Sequence, residues 1–246
     1  LPLVRERFPD REVVVPFTSG VIRDKLNAAI GDAERKILSP AQMLEKLKAD
    51  GYRDIAVVCT LLFAGIEYDK LKKEVESFSA ANAKIKVSLA PPLLADPANF
   101  KPVINALGKY MLTDASNIVV AHGSHAGHPV EAHYLELAAL LAENYPNARM
   151  GSVEGAPDMA QVMEWVKGRK NKEVRFIVFM FVAGDHAEND IASDDEDSLF
   201  SAVRAMGKSP SAHMVDTKIG KRMASLGLDP DYRKLLLDYY VSKVPR

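Results

Sequence analysis

The sequence predicts an α/β protein made of two similar lobes, each with a parallel sheet. Three observations carry that expectation. Short β-branched or apolar runs alternate with helical stretches along the whole chain, the order that builds parallel layers. The apolar run Ile118–Ala121 stops at His122-Gly123, and the carboxyl edge of an open α/β sheet is where ligands bind. Two later runs stop in the same manner, Arg149–Val153 at Glu154-Gly155 and Phe176–Ala183 at Gly184-Asp185-His186. The intervals from 122 to 154 and from 154 to 186 are both 32 residues. One strand–helix–strand unit takes about 30.

Taken in order, Leu1–Phe8 reads as the end of a helix stopped by Pro9-Asp10. Val13–Phe17 is β-branched and reads as a strand. Thr18-Ser19-Gly20 turns into a helix near Val21–Ile30. Ser39-Pro40-Ala41-Gln42 is a capping box with proline at the first helical position, opening a helix that Gly51 ends. Ile55–Thr60 is the next strand, Tyr68–Ser79 a charged helix, and Lys84–Ala90 a strand closed by Pro91-Pro92. Asp96-Pro97 opens a helix to about Met111.

The scheme then repeats. Asn117–Ala121 is a strand, and Pro129–Tyr145 a helix with its apolar stripe at Tyr134, Leu137, Ala138 and Leu141. Arg149–Val153 is a strand, Pro157–Lys170 a helix, and Val174–Ala183 the most apolar and so the central strand. Ser193-Asp194-Asp195-Glu196 is a second capping box for a helix to Met206. Ser211–Val215 reads as an edge strand, and Asp229-Pro230 starts a last helix to Lys243. The lobes are expected at 1–114 and 115–246, dividing near Thr113–Ser116, with the binding site in a cleft between them.

Composition narrows the function classes. With 246 residues, 48% apolar, and a formal net charge of −1, the chain can bury a large core and carries no basic surplus for nucleic acid or an anionic membrane. Cys59 is the single cysteine and lies in an apolar run, so a reduced core residue is expected and an internal disulfide is impossible. No run approaches the roughly 20 apolar residues of a membrane span. No leader is visible, which points to the cytoplasm. The chain begins without Met as if inside a helix, so an upstream segment and export stay open, as does a homo-oligomer. P-loop, G-x-G-x-x-G and G-x-S-x-G patterns are absent, so no nucleotide cofactor is expected.

His122, Glu154 and His186 form the sharpest constellation. Two imidazoles and a carboxylate suit Co(II), Ni(II), Zn(II) or Fe(II), and three protein ligands leave positions free for a substrate. The plainer alternative is strand-end histidines satisfied by backbone carbonyls. His125 and His128 follow closely, either as a looser second metal-gathering pair or as solvated loop residues. Asp185 and Asn189 flank His186 and could orient it. The carboxylates Asp194–Asp197 read best as favourable charge at a helix start. Glu67 follows the Ile55–Thr60 strand and is either a cleft residue or a helix N-terminal glutamate. Thr18, Ser19 and Arg23 sit at another strand exit, where they could bind substrate carboxylates or cap the helix.

These stretches resemble the anaerobic sirohydrochlorin cobaltochelatases of the class II chelatase superfamily. The matching segments are PFTSGVIRDKL (Pro16–Leu26), SPAQMLEKLKADGYRDIAV (Ser39–Val57), AHG (Ala121–Gly123), GSVEGAPD (Gly151–Asp158) and FVAGDHAENDIASDDEDS (Phe181–Ser198), in order along nearly the whole chain. The resemblance implies two flavodoxin- or Rossmann-like lobes around a tetrapyrrole cleft, a metal held by His122, Glu154 and His186, His122 as base, and Glu67 near the substrate. The chain departs from the family pattern in three places. The first strand and its Gly-Thr-Ser loop are missing. Leu62 stands in TLLFAGIEY where histidine is usual, in a loop one residue shorter. The loop after His122 is about two residues longer and has gained a histidine.

The expected reaction is ATP-independent insertion of Co(II) into sirohydrochlorin or a precorrin-2-type tetrapyrrole, in anaerobic cobalamin biosynthesis. Fe(II) and Ni(II) suit the same ligands. Imidazole exchanges protons near neutral pH, which fits His122 as the acceptor of pyrrolic protons, with the neighbouring Gly123 allowing close approach. Two other readings share these residues: a non-catalytic two-lobed protein that binds metal or tetrapyrrole, and a metal-dependent hydrolase with Glu67 as base.

Overall fold

The computed structural model describes residues 1–31, 36–184, 190–217 and 220–244. The chain divides into two units. Leu1–Cys59, Ile66–Pro92 and Leu237–Arg246 form the first, and Thr60–Gly65 with Leu93–Leu236 form the second. Among the described residues, no helix is long and apolar enough to cross a membrane.

The first unit runs α1 (Pro2–Arg7), α2 (Gly20–Ile30), α3 (Pro40–Ala49), β1 (Asp54–Val57), α4 (Ile66–Ala81) and β2 (Lys86–Leu89). The Ser39 box forms as its sequence demands: the Gln42 N–H donates to Ser39 Oγ at 3.2 Å, and the Ser39 N–H to Gln42 Oε1 at 2.9 Å. Strands β1 and β2 pair in parallel, with Ile55 beside Val87. Helices α3 and α4 pack together and bury Leu44, Leu47, Leu71, Val75 and Phe78. Cys59 is buried and reduced, as its apolar run suggests, and its carbonyl accepts a short hydrogen bond from the Tyr240 hydroxyl. Val13–Phe17, expected as a strand, joins no sheet among the described residues. Pro16 supplies no N–H in the middle of the run, and the stretch keeps a backbone bond from Phe17 N–H to Leu38 O at 3.0 Å.

The second unit contains α5 (Phe100–Leu107), β3 (Ser116–Gly123), α6 (Glu131–Asn144), β4 (Ala148–Glu154), α7 (Met159–Lys167), β5 (Glu173–Phe179), α8 (Leu199–Ala205), β6 (Ser209–Ala212), β7 (Met214–Thr217) and β8 (Gly220–Met223), and then α9 (Pro230–Lys243) as far as Leu236. The division falls at Pro92–Leu93, earlier than Thr113–Ser116, because α5 buries Phe100, Val103, Ile104 and Leu107 within the second unit and packs on α6.

Strands β3 to β6 form a parallel sheet in the order β4-β3-β5-β6. Counted within the unit this is 2-1-3-4, the flavodoxin-like order, whose direction reverses between β3 and β5. Residues Ser116–Ala121 of β3 are buried throughout, the signature of a strand covered on both faces. On one face Ile118 and Val120 pack with Phe176 and Val178 of β5, Val162 and Val166 of α7, and Val203 of α8. On the other, the Phe179 ring lies 6.5 Å from that of Phe63, which packs at 4.1 Å on Tyr134 of α6.

Two further expectations change. The helix expected from Ser193 begins at Leu199, because the buried Ser198 is its cap: Ser198 Oγ accepts from the Ser201 N–H at 3.1 Å and donates to Ser193 O at 2.8 Å. Ser193 Oγ instead closes a local turn, accepting from the Asp195 N–H at 3.3 Å. The single strand expected at Ser211–Val215 breaks at His213 into the parallel edge strand β6 and the hairpin strand β7, which pairs antiparallel with β8.

The start of α9 is tied down by Asp229, which is 2% exposed. Its carboxylate accepts from the Tyr232 N–H at 2.7 Å, from Lys109 Nζ at 2.6 Å, and from the Tyr110 hydroxyl. Burial works against the charge, but these hydrogen bonds overcome it and hold the carboxyl below its ordinary value. Burial, then the Asp229 bond, push the Tyr110 phenol up to about 12. A carboxyl lowered in the folded state stabilises the fold above its unfolded pKa of about 3.9, and that contribution vanishes as pH falls through the folded value. Asp229→Ala, which loses both cap and ion pair, is therefore expected to cost about 2–3 kcal/mol in urea unfolding at neutral pH, with the gap to wild type closing below about pH 4.

Candidate functional site at the carboxyl edge of the second sheet

Three backbone features build this edge. Strand β3 delivers His122 and Gly123 to its end, and β4 delivers Glu154. In the parallel register Gly123 stands opposite Glu154. Both strands then turn through left-handed glycines, Gly123 at φ 80° and Gly155 at φ 68°. The loops cross at contact distance. A Cβ on Gly123 would run into Glu154 O, and one on Gly155 into Ser124 O. The Ser124 N–H donates to Glu154 O at 3.2 Å, tying the two loops together. Behind them Ser152 fastens the β4 exit, its N–H donating to Pro157 O at 2.8 Å and its hydroxyl to Ala156 O at 3.0 Å. Below, the buried Tyr134 phenol is pushed well above its ordinary value by desolvation, partly offset by a hydrogen bond with the Gly123 backbone.

The side chains on this frame face solvent. His122 is exposed, and its Nδ1 lies 3.4 Å from Gly123 O. A carbonyl can only accept, so that contact calls for hydrogen on Nδ1. His125 Nδ1 lies 3.3 Å from Glu154 Oε2, with the two side chains 71% and 43% exposed. His128 Nδ1 accepts from the Val130 N–H at 3.1 Å, ahead of α6. The Gly127 N–H donates to Glu131 Oε2 at 2.8 Å.

His122 and Glu154, expected together from spacing, thus stand at the ends of adjacent strands. His186, Asp185 and Asn189 lie outside the described residues. Among the described residues, no group of three or more His, Cys, Asp or Glu side chains is gathered for a metal ion. Glu67 sits in the first turn of α4 and pairs with Lys70 Nζ at 2.7 Å. Ser19 caps α2 by accepting from the Ile22 N–H at 3.4 Å, Arg23 Nη1 donates to Phe17 O at 3.2 Å, and Thr18 is exposed. Leu62 is 8% exposed, an apolar residue in the core of the second unit. The pairing of His125 with Glu154 was not legible in sequence. The signal present was the additional histidine after His122, but only the crossing of two loops brings His125 to a carboxylate 29 residues away in the chain.

The cobalt chelatase (CbiK) family model matches residues 3–241. The chain is 34% identical over 203 residues to the sirohydrochlorin cobaltochelatase of Salmonella typhimurium, covering 81% of this chain and 74% of that one. It is 29% identical over 208 residues to the sirohydrochlorin cobaltochelatase CbiKC of Nitratidesulfovibrio vulgaris, covering 83% and 72%. Among solved structures it is similar to SirB from Bacillus subtilis with Fe3+, at a TM-score of 0.58 and 12% identity over 93% of this chain and 92% of that one. That likeness shows the two-lobed α/β fold.

The glycines at this edge can be separated by substitution. Gly123 and Gly127 both have positive φ, but a Cβ on Gly127 meets nothing within 4 Å. Gly127→Ala is expected to cost about 1 kcal/mol from backbone strain alone. Gly123→Ala adds a collision with the β4 backbone and is expected to cost roughly 3 kcal/mol or more. Paired urea unfolding curves measure the difference.

Proposed function

The chain belongs to the cobalt chelatase (CbiK) family, and from that premise we propose how its residues insert Co(II) into sirohydrochlorin, an ATP-independent step of anaerobic cobalamin biosynthesis. The observation that supports this reading best is the β3–β4 register. It sets Gly123 opposite Glu154, so that His122 and Glu154 come to the carboxyl ends of adjacent strands, at the sheet edge where ligands of open α/β folds bind.

The metal is substrate. A free-base tetrapyrrole loses two pyrrolic protons as one divalent ion enters its four nitrogens, so the site must supply a proton acceptor and a temporary hold on the ion. His122 takes the acceptor role through its imidazole, the Nδ1 of which is turned to Gly123 O. The left-handed turn at Gly123, expected to admit the macrocycle, instead lets the β3 exit pass against Glu154 O and so fixes the backbone beside the imidazole. Glu154 holds the ion, and His186 completes the set on the strength of its 32-residue spacing. Asp185 and Asn189 then orient His186. In the first unit Glu67, Thr18, Ser19 and Arg23 contact the substrate, with the guanidinium suited to its carboxylates. Co(II) is the proposed metal, with Fe(II) and Ni(II) the competitors, because the same donors suit all three.

The test is an anaerobic absorbance assay of sirohydrochlorin with Co(II). Wild type is expected to exceed the uncatalysed rate, and His122→Ala to lose at least about a hundredfold in turnover. Near-normal turnover by that variant would sink the assignment. Glu154→Gln is expected to weaken Co(II) binding while leaving tetrapyrrole binding nearly intact, as parallel titrations of the two ligands would read.

A further inference from the structure

We propose that His125 is a ligand of the incoming metal ion, forming with Glu154 a two-donor landing site at the mouth of the reaction centre. This rests on the chelatase reading above and adds to it a residue that the spacing of strand ends does not identify.

The geometry is that of a metal bite. Donor atoms bound to one ion at about 2.0–2.2 Å, at tetrahedral to right angles, lie about 2.8–3.6 Å apart. His125 Nδ1 and Glu154 Oε2 are 3.3 Å apart. Both side chains are open to solvent, as capture of a hydrated ion requires. An exposed imidazole–carboxylate pair adds little to stability, so the fold has small need of it as an ion pair.

The backbone beneath the pair is nevertheless closely fixed. The Ser124 N–H, one residue before His125, donates to Glu154 O at 3.2 Å, and the His125 carbonyl accepts from the His128 N–H at 3.2 Å. Gly155, one residue after Glu154, has no room for a side chain against Ser124 O. The two donors are thus set on crossing loops that cannot move independently, which is how a binding site is pre-organised. Imidazole with carboxylate also selects borderline divalent ions over the hard ions Mg(II) and Ca(II), which prefer all-oxygen donor sets.

Co(II) alone is titrated into wild type, His125→Ala and His125→Asp, without tetrapyrrole, and the Co(II) KM of each is measured in the chelatase assay. His125→Ala is expected to bind Co(II) about tenfold more weakly and to raise the Co(II) KM by a similar factor, with the tetrapyrrole KM unchanged. His125→Asp retains a donor atom and is expected to recover much of the metal affinity, which a purely structural role would not produce. Unfolding curves that match wild type confirm that the variants are folded. If His125→Ala binds Co(II) as wild type does, the proposal is overturned even though wild type turns over. If wild type inserts no metal yet binds Co(II) in a His125-dependent way, the landing site stands and the chelatase reading fails.

Discussion

The parallel pairing that sets Gly123 opposite Glu154 governs the rest of this edge. A slip of one residue would turn every side chain of β3 to the other face, and β3 has no polar face to offer. The register is therefore held by burial along Ile118–Ala121 and locked by polar contacts at the strand entrance. There Asn117, fully buried, accepts from the Leu112 N–H at 2.9 Å and donates to Leu112 O at 3.0 Å. Asn147 donates to Leu112 O at 2.9 Å and to Ala115 O at 3.1 Å from the start of β4. The two asparagines fix the strands at one end, and the glycine crossing fixes them at the other. Chemistry at the carboxyl edge inherits its positional accuracy from both.

What was legible in the sequence follows from which interactions are local. Capping residues act within one turn, so Ser19 and Ser39 mark their helices where the sequence places them, while the helix expected from Pro157 begins at Met159 behind the Asp158 cap. Strand β3 and the Phe176–Phe179 end of β5 announce themselves because a strand segment covered on both faces reads as a continuous apolar run. The matched lengths of strands and intervening helices make the common delivery of His122 and Glu154 readable from spacing. Misreadings arise where two local signals compete or where the partner is distant. Ser193 and Ser198 are both competent caps, and the one that becomes buried under α8 wins. Val13–Phe17 has strand composition, but composition says nothing about whether a neighbour with a matching ladder exists, and Pro16 removes one of the donors. The β7–β8 hairpin escapes notice because Met214–Thr217 and Gly220–Met223 are short and half exposed, with no apolar alternation to reveal them. The contact of His125 with Glu154 is wholly non-local and depends on both glycine turns at once.

The lengthened loop after His122 and Leu62 also differ in what they do to the donor set. Leu62 stands where the resembling family usually has histidine and is here part of the apolar core, its carbonyl accepting from the Leu94 N–H at 3.0 Å. Phe63 beside it anchors an aromatic cluster with Phe100, Tyr134 and Phe179. That segment has become structural. The loop after His122 has moved the other way, carrying an additional imidazole outward onto a carboxylate.

A site that hands a metal on has requirements opposite to those of a site that keeps one. Resident structural metals sit in closed four-donor shells, and their binding energy is part of the folding energy. Among the described residues, sheet, loops and caps satisfy one another by backbone hydrogen bonds and apolar packing. The donors that the edge presents are few and open to water. In the proposed reaction a macrocycle offering four nitrogens would take the ion from two or three exposed protein donors, and a weak grip by the protein would favour that transfer. Rigid backbone keeps that weak grip in one place. The glycine crossing between β3 and β4 supplies the rigidity, and the exposure of the proposed donors His122, His125 and Glu154 would supply the lability.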